Sequence, residues 1–332
     1  MDNDNKDNKK PGFLPRNSNN FMLALMINAV AMQLIVGLVI AVVVQTNPDF
    51  GGIPFWAIIV VSQVLIFGIP CAIYLVIHRK NIRELLPLRP LGLANFIMIV
   101  AMSLMIQPLF MLINALSQLL FPNVIADILV GLTAEGGFLF ALAIVAVLPS
   151  VFEEVAFRGI AFAGYKNIKI GRAALINGLL FGMIHLNMNQ FLYTFFLGVV
   201  FCFFMHYTKS LWAPILAHFV VNGVQVSALF ALSNADPAFT EAAAGAGDIP
   251  TITVMAAMGA VAIVTTGVFI AIYIPFKHHN LRRNEAAGIV THAAATAEGA
   301  PQKVLTPAVW AAVLIFVAMM LIMQLATRGL PS

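Results

Sequence analysis

A chain of 332 residues of which 61% are hydrophobic and only 10% charged lacks the polar surface that a soluble globule of this size needs, and its mean hydropathy of +0.94 marks a membrane protein. The net charge of +4 and a pI of about 9.2 do not indicate a nucleic-acid partner, because the cations lie in short loops between apolar runs, where they report topology. Cys71 and Cys202 fall in different apolar segments, without the spacing of a disulfide framework or a CxxC metal knuckle, and read as small core residues.

Residues 1–20, MDNDNKDNKKPGFLPRNSNN, are too polar to bury a core and are expected to form a disordered cytoplasmic tail. They do not read as a cleavable signal peptide, because the first apolar run is long enough to span a bilayer. Runs near 21–45, 54–77 and 93–120 follow, so 21–136 is read as a set of N-terminal transmembrane helices. The third run contains Pro108, which predicts a kinked, tilted or partly re-entrant helix. Runs near 137–158, 173–188, 190–208 and 211–233 make up a core over 137–233, with only NMN between the second and third of them. Residues 234–276 are read as an external loop and an eighth span near 251–276, 277–303 as a flexible cytoplasmic linker, and 304–332 as a detached last transmembrane helix. The predicted class is all-α, a polytopic transmembrane helical bundle of about eight to nine spans.

Placing the loops alternately puts 17 of the 18 Lys and Arg residues on one side and Arg328 alone on the other. The positive-inside rule then makes the amino terminus cytoplasmic. The chain shows no internal repeat of the kind an inverted-repeat transporter carries.

Ionisable groups facing lipid are costly, so several within spans are expected to converge on the bundle interior or a wet cavity. Three groups stand out: Glu153, Glu154 and Arg158 in LPSVFEEVAFRG, Phe181 and His185 in FGMIH, and His218 and Asn222 in HFVVN. Glu154 precedes Arg158 by four residues, the favourable order for an ion pair on one helix face. Glu153 lies about 100° round the helix and is left as the spare carboxylate, which suits a general base acting on water. His218 and Asn222 share a face and, with His185, could orient a water, protonate a leaving amine or hold an oxyanion. Asn177 shares the face of Phe181 and His185. Depth is less consistent: His185 lies thirteen residues beyond Arg172, about 20 Å at 1.5 Å per residue. That is too deep for a site near the cytoplasmic leaflet unless its helix starts inside the cytoplasm or tilts strongly.

These motifs, EExxxR, FxxxH and HxxxN in that order, resemble those of the CAAX-protease and bacteriocin-processing (CPBP or Abi) intramembrane proteases, relatives of the prenyl-protein (CAAX) endopeptidase. SLWAPILAHFVVN is also similar to that family, and the resemblance covers roughly 137–233. It implies an intramembrane endopeptidase in which Glu153 activates a water held with His185, and His218 and Asn222 stabilise the tetrahedral oxyanion. Glu154, Arg158 and Phe181 would support the site. The reading favours a glutamate mechanism without cofactor. The alternative is zinc held by Glu153, His185 and His218, although the chain has no HExxH and the spacings of 32 and 33 residues are not those of a local zinc motif.

The expected partners are membrane lipids and a membrane-bound or hydrophobic peptide substrate, with no nucleic acid; the oligomeric state is open. The expected location is a bacterial cell membrane, multi-pass. A competing reading keeps the same fold as a non-catalytic membrane scaffold or bacteriocin-immunity protein. A proton-relay transporter ranks last, because the ionisable groups cluster toward one leaflet.

Overall fold

The computed structural model describes residues 13–46, 53–121, 132, 136–234, 251–289 and 303–328. The first twelve residues, nearly all of the expected external loops and the 290–302 part of the expected linker lie outside the described residues. The helices are α1 (Pro15–Thr46), α2 (Phe55–Ile77), α3 (Leu93–Gln118), α4 (Gly136–Ala161), α5 (Ile170–Ile184), α6 (Met188–Thr208), α7 (Trp212–Ser233), α8 (Thr251–Ala286) and α9 (Pro307–Arg328). No strand occurs among the described residues. All but α5 are long and apolar enough to cross a bilayer, so the chain is an integral multi-pass membrane protein of the all-α class. Large apolar side chains such as Ile263, Val264 and Leu314 lie exposed on the outer helices, where hydrocarbon rather than water would cover them.

Several sequence expectations are corrected at helix ends. The first helix starts within the expected tail, at Pro15, a residue whose missing N–H costs nothing at the first helical position. Ser18 and Asn19 are buried, and the Asn19 amide donates to the Val304 carbonyl at 2.8 Å and to Thr306 Oγ1 at 3.0 Å. Those bonds fasten α1 to the segment entering α9, which packs on α1 and α5. The last helix is therefore docked, not detached. Likewise α8 continues to Ala286, through the first third of the expected linker. Its Asn280 pairs with Asn95 at 2.7 Å, and Asn284 donates to the Tyr207 carbonyl at 2.8 Å, which gives this polar extension buried partners.

The expected fifth span is a short helix: the 15 residues of α5 rise about 22 Å, less than the ~30 Å hydrocarbon core. It forms a hairpin with α6 through a turn in which the Asn187 side chain caps α6 by accepting from the Asn189 and Gln190 N–H groups at 2.8 and 3.3 Å. The expected irregularity near Pro108 is present as a break at Ile106 between Leu93–Met105 and Gln107–Gln118.

Proline also marks two π turns. Val64–Gly68 in α2 and Ala143–Val147 in α4 each end two residues before a proline, Pro70 and Pro149. Proline cannot donate to the carbonyl four residues back and its ring crowds that carbonyl; a widened preceding turn relieves both. A third π segment, Val155–Ala161, follows Glu154 directly.

Backbones approach closely where α5 meets α6. Gly178 and Gly182 on α5, four apart, face Gly198 and neighbouring backbone on α6, the small-residue packing expected between membrane helices. A Cβ on Gly198 would stand 2.8 Å from the Gly178 Cα and 3.1 Å from the Phe181 ring. Gly198→Ala is therefore expected to force the hairpin apart and to destabilise the protein by about 1–3 kcal/mol, measurable as a lower Tm in detergent.

Candidate active site

The candidate site forms where α4, α5, α6 and α7 meet, and its centre is a carboxylate. Glu154 is fully buried, and its Oε1 accepts from Arg158 Nη1 at 2.8 Å and from His218 Nδ1 at 2.8 Å. Arg158, also fully buried, donates from Nη2 to the Gly198 carbonyl at 3.0 Å, a reach made possible by the close packing of α6. Its guanidinium lies 4.4 Å from the Phe181 ring centroid and 5.3 Å from that of Phe201, so aromatic faces share in holding the charge. A buried cation is costly unless paired and hydrogen-bonded, and here one residue draws α4, α5 and α6 together.

Phe181 links the two histidines. Its ring meets His185 edge-on at 5.2 Å and His218 edge-on at 6.0 Å between centroids. His185 follows the last residue of α5, half-buried, and its Nδ1 lies 2.9 Å from the Phe181 carbonyl. A carbonyl only accepts, so this contact places the proton on Nδ1 and leaves the Nε2 lone pair free. The same reasoning places a proton on His218 Nδ1, which points at Glu154. His185 also interacts electrostatically with Glu153 and His218.

Glu153 is buried and turned away from the arginine. Its Oε1 accepts from Gln63 Nε2 of α2 at 2.9 Å, and its Oε2 has no hydrogen-bond partner among the described residues. Asn222 lies one turn beyond His218, and its Nδ2 donates to the Val145 carbonyl at 3.0 Å. One amide N–H therefore ties α7 to the π turn of α4, while the second is not engaged there. Asn177 bridges elements, donating to the Phe157 carbonyl at 3.0 Å and accepting from Cys202 Sγ at 3.2 Å. Among the described residues, no three His, Cys or carboxylate side chains converge closely enough to hold a metal ion. Both imidazoles are engaged through Nδ1, His185 with a carbonyl and His218 with Glu154, which leaves each Nε2 facing away from these partners.

Residues 135–224 match the family described as Rce1-like, type II CAAX prenyl endopeptidase, and that segment contains all seven motif residues. This segment is thus similar to the CAAX-protease family over about a quarter of the chain. A Bacillus subtilis (strain 168) protein named "Putative membrane peptidase YdiL" is 32% identical over 77 residues, covering 23% of this chain and 32% of that protein. The chain thus matches about a third of that relative's length. No solved structure matches the chain.

Relative to the sequence reading, the structure joins Glu154 to Arg158 as expected from their spacing. It adds what spacing does not show: His218 is bound to that pair rather than standing beside Glu153. Two neighbours of Glu153 escape sequence reasoning. Gln63 appears in the sequence only as one of several amides in apolar runs, about ninety positions away. Tyr193 of α6 interacts electrostatically with Glu153 and hydrogen-bonds Gln190, and no motif includes it.

The candidate site therefore has two carboxylates in different settings. Glu154→Gln removes the charge that neutralises buried Arg158 and is expected to cost about 3–5 kcal/mol, seen as low abundance and early thermal unfolding. Glu153→Gln, at a position hydrogen-bonded to the Gln63 amide and without a salt bridge among the described residues, is expected to keep near-normal abundance and Tm.

Proposed function

We propose that this chain is an intramembrane endopeptidase of the glutamate type. It would hydrolyse a peptide bond of a hydrophobic or membrane-associated peptide near the cytoplasmic leaflet, with the amino terminus cytoplasmic. The observation that carries the reading is the pair of unlike carboxylates: each has one oxygen without a partner among the described residues, but the bonded oxygen of Glu154 is committed to Arg158 and His218, whereas that of Glu153 meets only the Gln63 amide. The similarity of residues 135–224 to the type II CAAX prenyl endopeptidase family supports it, as does the name of the Bacillus relative.

In this mechanism the Glu153 carboxylate takes a proton from a water that the His185 Nε2 lone pair helps to orient. The water oxygen attacks the peptide carbonyl carbon, and its electron pair moves onto the carbonyl oxygen. His218, carrying a proton on both ring nitrogens throughout the cycle, donates from Nε2 to that oxyanion, and the Glu154 carboxylate at Nδ1 offsets the imidazolium charge. The second N–H of Asn222 serves as a further donor. Collapse breaks the C–N bond, and the proton held by Glu153 passes to the leaving amine, giving a free carboxylate and a free amino terminus. One proton of the water thus reaches the amine through Glu153, and the other stays on the new carboxyl group until that group ionises to solvent. Gln63 acts as a positioning residue, fixing the rotamer of Glu153 so that Oε2 faces the water.

At matched abundance, Glu153→Gln is expected to lower cleavage by about 10²–10⁴-fold, the usual worth of a general base. Comparison of membrane proteomes and secreted peptides between wild-type and Glu153→Gln cells should show a substrate that accumulates uncut in the variant; identical profiles would refute hydrolysis by this site. Treatment of the purified protein with o-phenanthroline is expected to leave cleavage of that substrate unchanged, and loss of activity restored by zinc would overturn the cofactor-free route.

A further inference from the structure

One cavity is not used by this chemistry. It has a volume of about 450 Å³ and opens where α2, α4 and α6 end, the face that the proposed orientation assigns to the cytoplasm. Its inner wall includes Arg158 and Gly159, one turn beyond Glu154, and cations line its mouth: Arg83, Arg89, Lys166 and Lys209. The carboxylate in its lining, Glu84, is already paired with Lys166. Arg83, Arg89 and Lys209 have no ion-pair partner among the described residues.

The backbone that carries two of these cations, Arg89 and Lys209, is held in place. The segment bearing Arg89 is fastened from two sides: the Leu211 N–H donates to the Pro87 carbonyl at 2.9 Å, and Arg283 of α8 donates to the Leu91 and Pro90 carbonyls at 2.8 and 2.7 Å. The Ser210 hydroxyl donates to the Arg89 carbonyl as well. Lys209 terminates α6 with φ of 54°, a left-handed conformation that glycine adopts at lower cost. A lysine there places an ammonium group at the cavity. Burial and the facing Arg89 charge push that ammonium down to about 8, a strain that a bound anion would relieve.

We infer that this cavity binds a phosphate group, seated between Arg89, Lys209 and Arg83, at a site separate from the hydrolytic carboxylates. Guanidinium forks recognise phosphate oxygens in bidentate fashion and an ammonium group adds a point charge. The volume accommodates a phosphate with a small polar substituent. Two sources share this chemistry, the headgroup of an anionic phospholipid and a free phosphate, and the cavity lies at the ends of apolar helices long enough to span, where headgroups would stand.

The test uses the full-length protein in neutral detergent, followed by Tm and native mass spectrometry with phosphatidylglycerol, phosphatidylcholine or inorganic phosphate. Wild type is expected to gain Tm with phosphatidylglycerol or inorganic phosphate and to retain the anionic lipid over phosphatidylcholine. The double variant R89Q/K209Q is expected to lose that retention by about tenfold or more. Stabilisation by inorganic phosphate alone identifies a soluble phosphate source; stabilisation by phosphatidylglycerol alone identifies the lipid. Should the double variant fold poorly, R83Q, at an exposed position, gives the same comparison, with R79Q as the control outside the cavity. Equal retention and equal Tm shifts in wild type, the cavity variants and R79Q, or no shift in any of them, would overturn the site.

Discussion

The architecture depends on neutralising one charge deep among apolar helices. Arg158 is fully buried, so the bundle must supply a carboxylate, a carbonyl and aromatic faces at fixed positions around it. Those partners come from α4, α5 and α6, and His218 adds α7 through the same Glu154 oxygen. Any relative shift of these helices would expose or unpair the guanidinium, a far greater loss than a slipped apolar contact. The polar centre therefore gives the core a single register that packing of Leu and Phe side chains alone would specify less sharply.

Around that centre, close backbone packing sets the geometry. The glycines of the α5 and α6 hairpin bring Gly198 near enough for its carbonyl to serve Arg158. They also let Phe181 lie between the guanidinium and both histidines. The outer helices contribute at longer sequence distances. Gln63 reaches Glu153 from α2, and the junction of Asn19, Val304 and Thr306 closes α1 and α9 against the far side.

Much of this was legible in the sequence, because hydropathy and charge act locally. The apolar runs correspond to the helices, and the four-residue spacing of Glu154 and Arg158 predicts their ion pair. The short α5 was harder to read, because a hydrophobic run of 16 residues looks alike whether it crosses a bilayer or stops halfway. The start of α1 was hidden because Ser18 and Asn19 look solvent-loving until the partners from α9 are known. Polar residues at 277–286 resembled a linker for the same reason: Asn280 and Asn284 find their partners nearly two hundred and about eighty positions away. Three ordered motifs marked the candidate site, whereas Gln63 and Tyr193 carry no local pattern. The fact that Glu154 serves both Arg158 and His218 depends on tertiary approach, which no periodicity encodes.

The π turns have a consequence for how the two carboxylates are aimed. Residues 148–154 form a short α-helical island between the π segments Ala143–Val147 and Val155–Ala161. Each π turn holds more residues than an α turn, so the island's rotational phase is set independently of the helix on either side. Loss of a single residue between Glu154 and Arg158 would leave every functional side chain present, yet make Glu153 rather than Glu154 the acid four residues before the arginine. Glu153 and Glu154 would then exchange surroundings, the first turning toward the arginine and the second away. The division of labour between these adjacent acids thus depends on the count of residues between fixed points in the bundle as much as on their identity.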